Sequence, residues 1–390
     1  METNLRTRLG KRVAEILDSA SVSIGTTNSY DVQLKSEGFI AEALAGGDIA
    51  IGEGYMDRKW WCNGDLAEIL FRIFDSGLER EFRGRPWNTL GLFVSSFLAR
   101  PRWVLRSRPA SAAHYSLPPF LFEKMLGKDG DYTCCRWPEG VTTLAEANRV
   151  KRAELARKFH IQAGDSVLEI GCGTGGLARY LDLEHGARVT GVTNSPEHAA
   201  LAEEHCKGSS VRIVLANYRD MPRETYDKIV SVGQAEHVPL QELDVYARFA
   251  YDRLRPGGML LWHYITGSGR PNPWVNKWIF PGGVLKPMWK MEEAASRYFG
   301  PAEDWENFGW DYYLTLVAWH KNCVTHREEI DRVCGETLAN LFGSTERFWR
   351  MWDFYLLSFA ARFKCRKINV GQAVYVKGGV RDGVYQTSRL

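Results

Sequence analysis

The stretch "SVLEIGCGTGGLARYL" (residues 166–181) carries four glycines within six residues, between an apolar run and a helical pattern. Gly171-x-Gly173-x-x-Gly176 in that setting lets a backbone turn approach a ligand closely, and the following helix N-terminus favours electron-rich groups. A plain strand-to-helix crossover needs only one or two glycines. Glu169 stands two residues before Gly171, the acidic-x-Gly-x-Gly-x-Gly form of S-adenosylmethionine (SAM) loops. The next apolar run ends "VTGVTNS", without the acidic residue that a dinucleotide site places on its ribose. The turn therefore reads as a SAM loop rather than an NAD loop.

Acid–base chemistry is available downstream. In an open parallel sheet, ligands bind beyond the carboxyl ends of the strands. The successive apolar runs deliver to that edge the glycines, then Thr193 and Asn194, then Asn217 and Tyr218, then Glu236 and His237, then His263 followed by Ile265. A carboxylate and a histidine on neighbouring strand ends form an acid/base pair. With no third protein ligand in reach they do not form a metal site. Taken singly, Glu236 also fits a helix cap, and His263 a satisfied core histidine.

The elements that must position these residues read as α/β from residue 114 onward. Strands "SVLEIG", "ARVTGVT", "VRIVLA", "YDKIVSVG" and "GMLLWHYI" alternate with helices starting near Thr174, Ser195 and Leu240. That alternation predicts a doubly wound, mostly parallel sheet; the class I methyltransferase type, with a C-terminal antiparallel hairpin and an inserted helical cap, is what the family resemblance given below implies. Ahead of it, residues 1–20 read as an amphipathic helix. "YDVQL" reads as a strand, "EGFIAEALAGG" as a short helix with a glycine stop, "GEGYMDRKWWC" as a turn-rich aromatic stretch and "GDLAEILFRIF" as a helix. The stretch "RGRPWNTLGLFVSSFLARPRWVLRSRP" (residues 83–109) has arginine but no lysine, interleaved with Trp, Phe and Leu. It suits an anionic bilayer surface. A boundary near residue 110 divides a small N-terminal α+β domain that associates with lipid or membrane (1–110) from a catalytic domain (111–390).

Composition narrows the classes. The 390 residues are 45% hydrophobic and 25% charged, a globular balance. The net charge of +3, from 50 Lys and Arg against 47 Asp and Glu, gives no argument for nucleic acid. Residues 1–30 lack a signal-peptide pattern, and no apolar run approaches the ~18–20 residues of a membrane span. Eight cysteines without a C-x-x-C pair read as free thiols, not zinc ligands. The expected location is the cytoplasm, peripheral to the inner face of the membrane.

Ten stretches, in order, resemble the cyclopropane fatty acid synthases and their mycolic-acid cyclopropane and methyl-transfer relatives: "HYSLPPFLFEKML", "YTCCRW", "LEIGCGTGGLARYL", "GVTNS", "NYRD", "IVSVGQAEHV", "LRPGGMLLWHYITG", "WVNKWIFPGG", "ENFGWDYYLTLVAW" and "NVGQAVYVKGG". They span residues 114–380. "GDIAIGEGYMDRKWW" resembles the longer, phospholipid-acting members. The resemblance implies a SAM-dependent methyl transfer to the cis double bond of an unsaturated phospholipid acyl chain. A carbocation follows, then ring closure to a cyclopropane with bicarbonate as proton acceptor. It places the bicarbonate pocket at Cys134, Glu236, His263, Ile265 and Tyr312. SAM contacts fall at Tyr132, Thr133, Gly171, Gly173, Thr193, His198 and Tyr218, beside Glu169. Trp137, Tyr264 and Tyr313 are candidates to stabilise the cation. The longer relatives imply a homodimer.

The chain departs from the family pattern at "HYSLPP", where Pro118–Pro119 replace a Gly-Asn pair in a loop that covers the cofactor. It departs again at Gln234–Ala235, which replace a large apolar pair, and at Phe359, which stands where some members have cysteine. These changes leave open a methyl-branched alkene as product. A small-amine N-methyltransferase and a binding module without turnover are the other readings.

Overall fold

The computed structural model describes residues 5–77, 117–128, 130–380 and 385. The stretch 83–109 and the boundary near residue 110 lie outside these residues. The chain gathers into two compact units that interleave along the sequence. One comprises Met1–Met125, Pro271–Gly283 and Leu316–Lys367; the other comprises Leu126–Arg270, Val284–Thr315 and Ile368–Leu390. The insertion after Thr266 and the late helices are thus shared between the units, whereas a consecutive split was expected from sequence.

The first unit holds a three-stranded sheet, β1 (Ser23–Ile24), β2 (Asp31–Leu34) and β3 (Trp60–Asn63), in that order. The expected glycine stop is a kink. One helix runs from Gly38 to Met56, with non-helical angles at Gly47 (φ 55°, ψ −139°), a conformation open mainly to glycine. "GEGYM" is therefore helix, and "WWCN" is strand. Pro119 opens a helix, Pro119–Leu126, at its first position, where a missing N–H costs nothing. The core of this unit is aromatic. Tyr55, Trp60 and Trp274 pack around Phe354 with ring centroids 4.9–6.1 Å apart. The Arg350 guanidinium lies 4.0 Å from the Tyr55 ring centroid and donates to the Trp60 carbonyl at 3.0 Å.

The second unit is built on seven strands: β4 (Ser166–Ile170), β5 (Arg188–Thr193), β6 (Arg212–Leu215), β7 (Tyr226–Val232), β8 (Leu254–Thr266), β9 (Asp304–Asn307) and β10 (Asn369–Val376). Their order is β6-β5-β4-β7-β8-β10-β9. The first five are parallel, while β10 runs antiparallel to both β8 and β9. This is the expected doubly wound sheet with its antiparallel end; β9 was not foreseen. Helices Gly176–His185, Pro196–His205 and Leu243–Arg253 make the crossovers. The order reverses between β4 and β7, which opens the crevice where such sheets bind ligands.

The tightness of the first unit is testable at Gly52, inside the kinked helix. A Cβ there would overlap the indole of the fully buried Trp274. Gly52→Ala should cost about 1–3 kcal/mol of stability despite alanine's better helix propensity, read as a lowered denaturation midpoint.

Candidate active site

The glycine turn is formed as its sequence demands. Gly171, Gly173 and Gly175 have φ of 80°, 53° and 78°, left-handed angles that other residues adopt only under strain. Open space surrounds the position where a Gly173 side chain would stand, so a ligand can reach that backbone. At Gly176 a Cβ would collide with the Asp131 carboxylate and the Arg152 guanidinium. Those groups form an ion pair at 2.8 Å, and Lys151 adds a second bond to Asp131 at 2.7 Å. Lys151 also donates to Thr133 Oγ1 at 3.0 Å, and Thr133 approaches Gly233 just past β7. The 131–135 segment is thereby pinned beside the glycine turn. Burial of charge without a partner is costly, which is why Asp131 is paired twice. These cations hold its carboxyl well below the ordinary range against the opposing effect of burial.

Glu169 lies within β4, buried, with Oε2 lacking a partner. Burial, and the charge of Asp131, raise its pKa to about 8. The Tyr218 hydroxyl is likewise buried and unpartnered, its ring edge-on to Tyr246 and Phe249. Thr193 is buried at the end of β5, its hydroxyl accepting from Ser195 N at 3.3 Å. Tyr132 is half-buried, whereas His198 is exposed on the first turn of helix Pro196–His205. Open glycine backbone, an orphaned carboxyl oxygen and an orphaned phenol make a donor and acceptor set that fits SAM.

Glu236 sits in a single 3₁₀ turn, Ala235–His237, directly after β7. It is buried, and its Oε1 accepts from Ile265 N in β8 at 2.6 Å. Its Oε2 has no partner. Desolvation raises the pKa to about 7, opposed by the Ile265 N–H bond. Lys286, which is buried, holds the same turn by donating to Ala235 O at 3.2 Å and Glu236 O at 2.5 Å. Burial lowers its pKa to about 8. Sequence reading missed Lys286, because nothing around "GGVLKP" marks it.

His263 pairs with Val232 across the β7–β8 ladder, and its carbonyl accepts from Gly233 N at 3.0 Å. The ring is buried and stays neutral. Burial, then the cations Lys151, Arg136 and Lys158, lower its pKa to about 3. Its Nδ1 lies 3.3 Å from Gln372 Nε2, and the Gln372 Oε1 accepts from Lys158 Nζ at 2.6 Å. Cys134 is buried with its S–H turned to the Cys135 carbonyl at 3.2 Å, and burial keeps its thiol protonated. Thr315 Oγ1 accepts from Cys135 N and Trp137 Nε1, and Asp311 Oδ2 accepts from Trp137 N. Both lie at the start of helix Gly309–Thr325, beside the buried Tyr312.

Two expected roles change. The Ile265 N–H is committed to Glu236, so this residue orients the carboxylate. Tyr264 points away from its neighbours, because successive strand residues face opposite sides. It is buried in the core cluster with Trp262, its hydroxyl donating to Glu292 at 3.2 Å. Gln234 packs its side chain against Gly171, within 3 Å of where a Cβ would stand, so it abuts the cofactor turn.

The family model for mycolic acid cyclopropane synthetase matches residues 105–373. The chain is 34% identical over 379 residues to the cyclopropane-fatty-acyl-phospholipid synthase of Escherichia coli, covering 95% of this chain and 94% of that protein. The fold is similar to cyclopropane synthase MmaA2 from Mycobacterium tuberculosis, with TM-score 0.61 and 26% identity over 70% of this chain and 98% of that one. It is also similar to mycolic acid cyclopropane synthase CmaA1 complexed with SAH and CTAB, with TM-score 0.60, 26% identity and the same coverages.

The raised pKa of Glu236 has a stability consequence with a definite sign. The folded carboxyl keeps its proton to about pH 7, the unfolded one only to about 4.3, so stability falls as pH rises between them. Glu236→Gln removes that titration and keeps an acceptor for Ile265. Calorimetry should find the variant equal to wild type at pH 5 and several degrees more stable at pH 8, reflecting roughly 2–3 kcal/mol.

Proposed function

This chain belongs to the mycolic acid cyclopropane synthetase family, and from that premise we propose that it methylates the cis double bond of unsaturated phospholipid acyl chains to give cyclopropane fatty acids. The observation that carries the reading is Glu236: a buried carboxyl with one oxygen pinned and the other unpartnered, on the strand edge next to a neutral His263 and the glycine turn. The similarity to the E. coli synthase over nearly the whole chain supports phospholipid as the acceptor.

SAM, when bound, supplies an electrophilic methyl group. Gly171, Gly173, Glu169, Tyr132, Thr133, Thr193, His198 and Tyr218 are the residues that hold it. Bicarbonate, when bound, supplies a small base for the proton lost from the methylated chain. Glu236, His263, Cys134 and Tyr312 hold it, with Ile265 orienting Glu236. The protein's own part is electrostatic. Glu236 offers Oε2 as an acceptor, His263 offers a neutral ring, and Cys134 and Tyr312 line the place without adding a competing charge. Burial excludes water that would quench a carbocation. Trp137, fixed through Thr315, supplies an aromatic face nearby. No helix among the described residues is long and apolar enough to cross a membrane. The arginine-rich stretch 83–109 brings the enzyme, as a homodimer, to the inner bilayer surface from the cytoplasm.

The test is to incubate purified protein with methyl-labelled SAM and vesicles of cis-unsaturated phospholipid, then analyse the released fatty acids by mass spectrometry. Label is expected in acyl chains one CH2 heavier that resist mild hydrogenation. A labelled chain that takes up hydrogen is a methyl-branched alkene and overturns ring closure; no label in lipid overturns the class. Glu236→Gln should lower the rate about a hundredfold or more while SAM binding is retained.

A further inference from the structure

Gln372 stands opposite His263 in the β8–β10 ladder. Its amide can face only one way. Lys158 Nζ lies 2.6 Å from one end, and an ammonium has donors only, so that end is the oxygen. The amide nitrogen therefore faces the imidazole and presents an N–H to Nδ1 at 3.3 Å. A neutral imidazole carries one proton. With Nδ1 accepting, the proton resides on Nε2. Lys158 cannot swing away to release this order. Its side chain is fully buried and bonded to Glu306 at 2.5 Å, with Asp304 at 3.5 Å and Glu154 at 3.6 Å.

We infer that Gln372, clamped by Lys158, is a positioning residue that sets His263 as an Nε2–H donor. The inference rests on the reading of His263 as part of the anion pocket. The Gln372 contact occupies Nδ1, so the proton on Nε2 is the one the ring can offer to a ligand. In the opposite tautomer, Nε2 would present a lone pair and repel an anion. The device joins residues 158, 263 and 372, so it exists only once β10 has paired with β8.

Long-range proton–nitrogen correlation spectra of the full chain labelled with 15N-histidine read the tautomer directly. The His263 signals are assigned by their loss in His263→Gln. Wild type is expected as the Nε2–H form. Gln372→Glu keeps the size and the Lys158 contact but offers Nδ1 an acceptor. It should move the proton to Nδ1 and lower methyl transfer about tenfold or more, with SAH affinity within about twofold of wild type. An Nδ1–H tautomer in wild type overturns the inference, as does a variant whose tautomer moves while its rate does not. If the variant fails to fold, the wild-type spectrum still decides. Absence of lipid methylation by wild type would instead defeat the proposed activity, and the spectrum would still report the tautomer.

Discussion

The hydrogen bond from Ile265 N to Glu236 Oε1 is the constraint around which the site is organised. It ties the turn after β7 to the body of β8, and it satisfies only half of a buried carboxyl. Leaving Oε2 unpaired costs on the order of 1–3 kcal/mol, a penalty that a domain's stability tolerates at few places. Lys286 holds the same turn through two carbonyls, so the carboxyl cannot relieve the cost by moving. A ligand that donates to Oε2 recovers the lost energy. The arrangement thus stores binding capacity at one atom.

Apart from Lys286, the neighbouring charges are paired with one another. Lys151, Arg152 and Asp131 fix the segment beside the glycine turn, and Arg136 and Lys158 are surrounded by Glu154, Asp304, Glu306 and Asp311. Burial first, and then the cations Lys151, Arg136 and Lys158, suppress protonation of His263. Among the described residues, the neutral His263 ring and the half-paired Glu236 carboxyl carry no such partner ions. Networks of this kind define a geometry more than they stabilise a fold, because the desolvation of each ion offsets most of its attraction.

The glycine turn, the five parallel strands and the placement of Glu236 just after β7 and of His263 on the neighbouring β8 were legible, because each depends on local pattern: glycine spacing, apolar runs and strand order. Tyr264 was expected beside the cation, although the period of two along β8 already sets it on the face opposite His263 and Ile265. The kink at Gly47 was not legible, because a glycine that ends one helix also permits a bend within another. Nothing in the charges of "RVKRAELARK" announces burial; in the fold Lys151, Arg152, Glu154 and Lys158 are buried, and most of their partners come from outside this helix. Gln372 reaches Lys158 across 214 residues and His263 across 109, so no spacing rule announces either contact.

On the function proposed above, a buried anion completes the half-satisfied Glu236 and makes the site competent. The most direct measurement is the rate of methyl transfer in buffer freed of carbon dioxide, with and without added bicarbonate. Wild type is expected to fall about tenfold or more on depletion and to recover on addition, while Glu236→Gln stays slow in both. A wild-type rate unchanged by depletion would contradict that role for the anion.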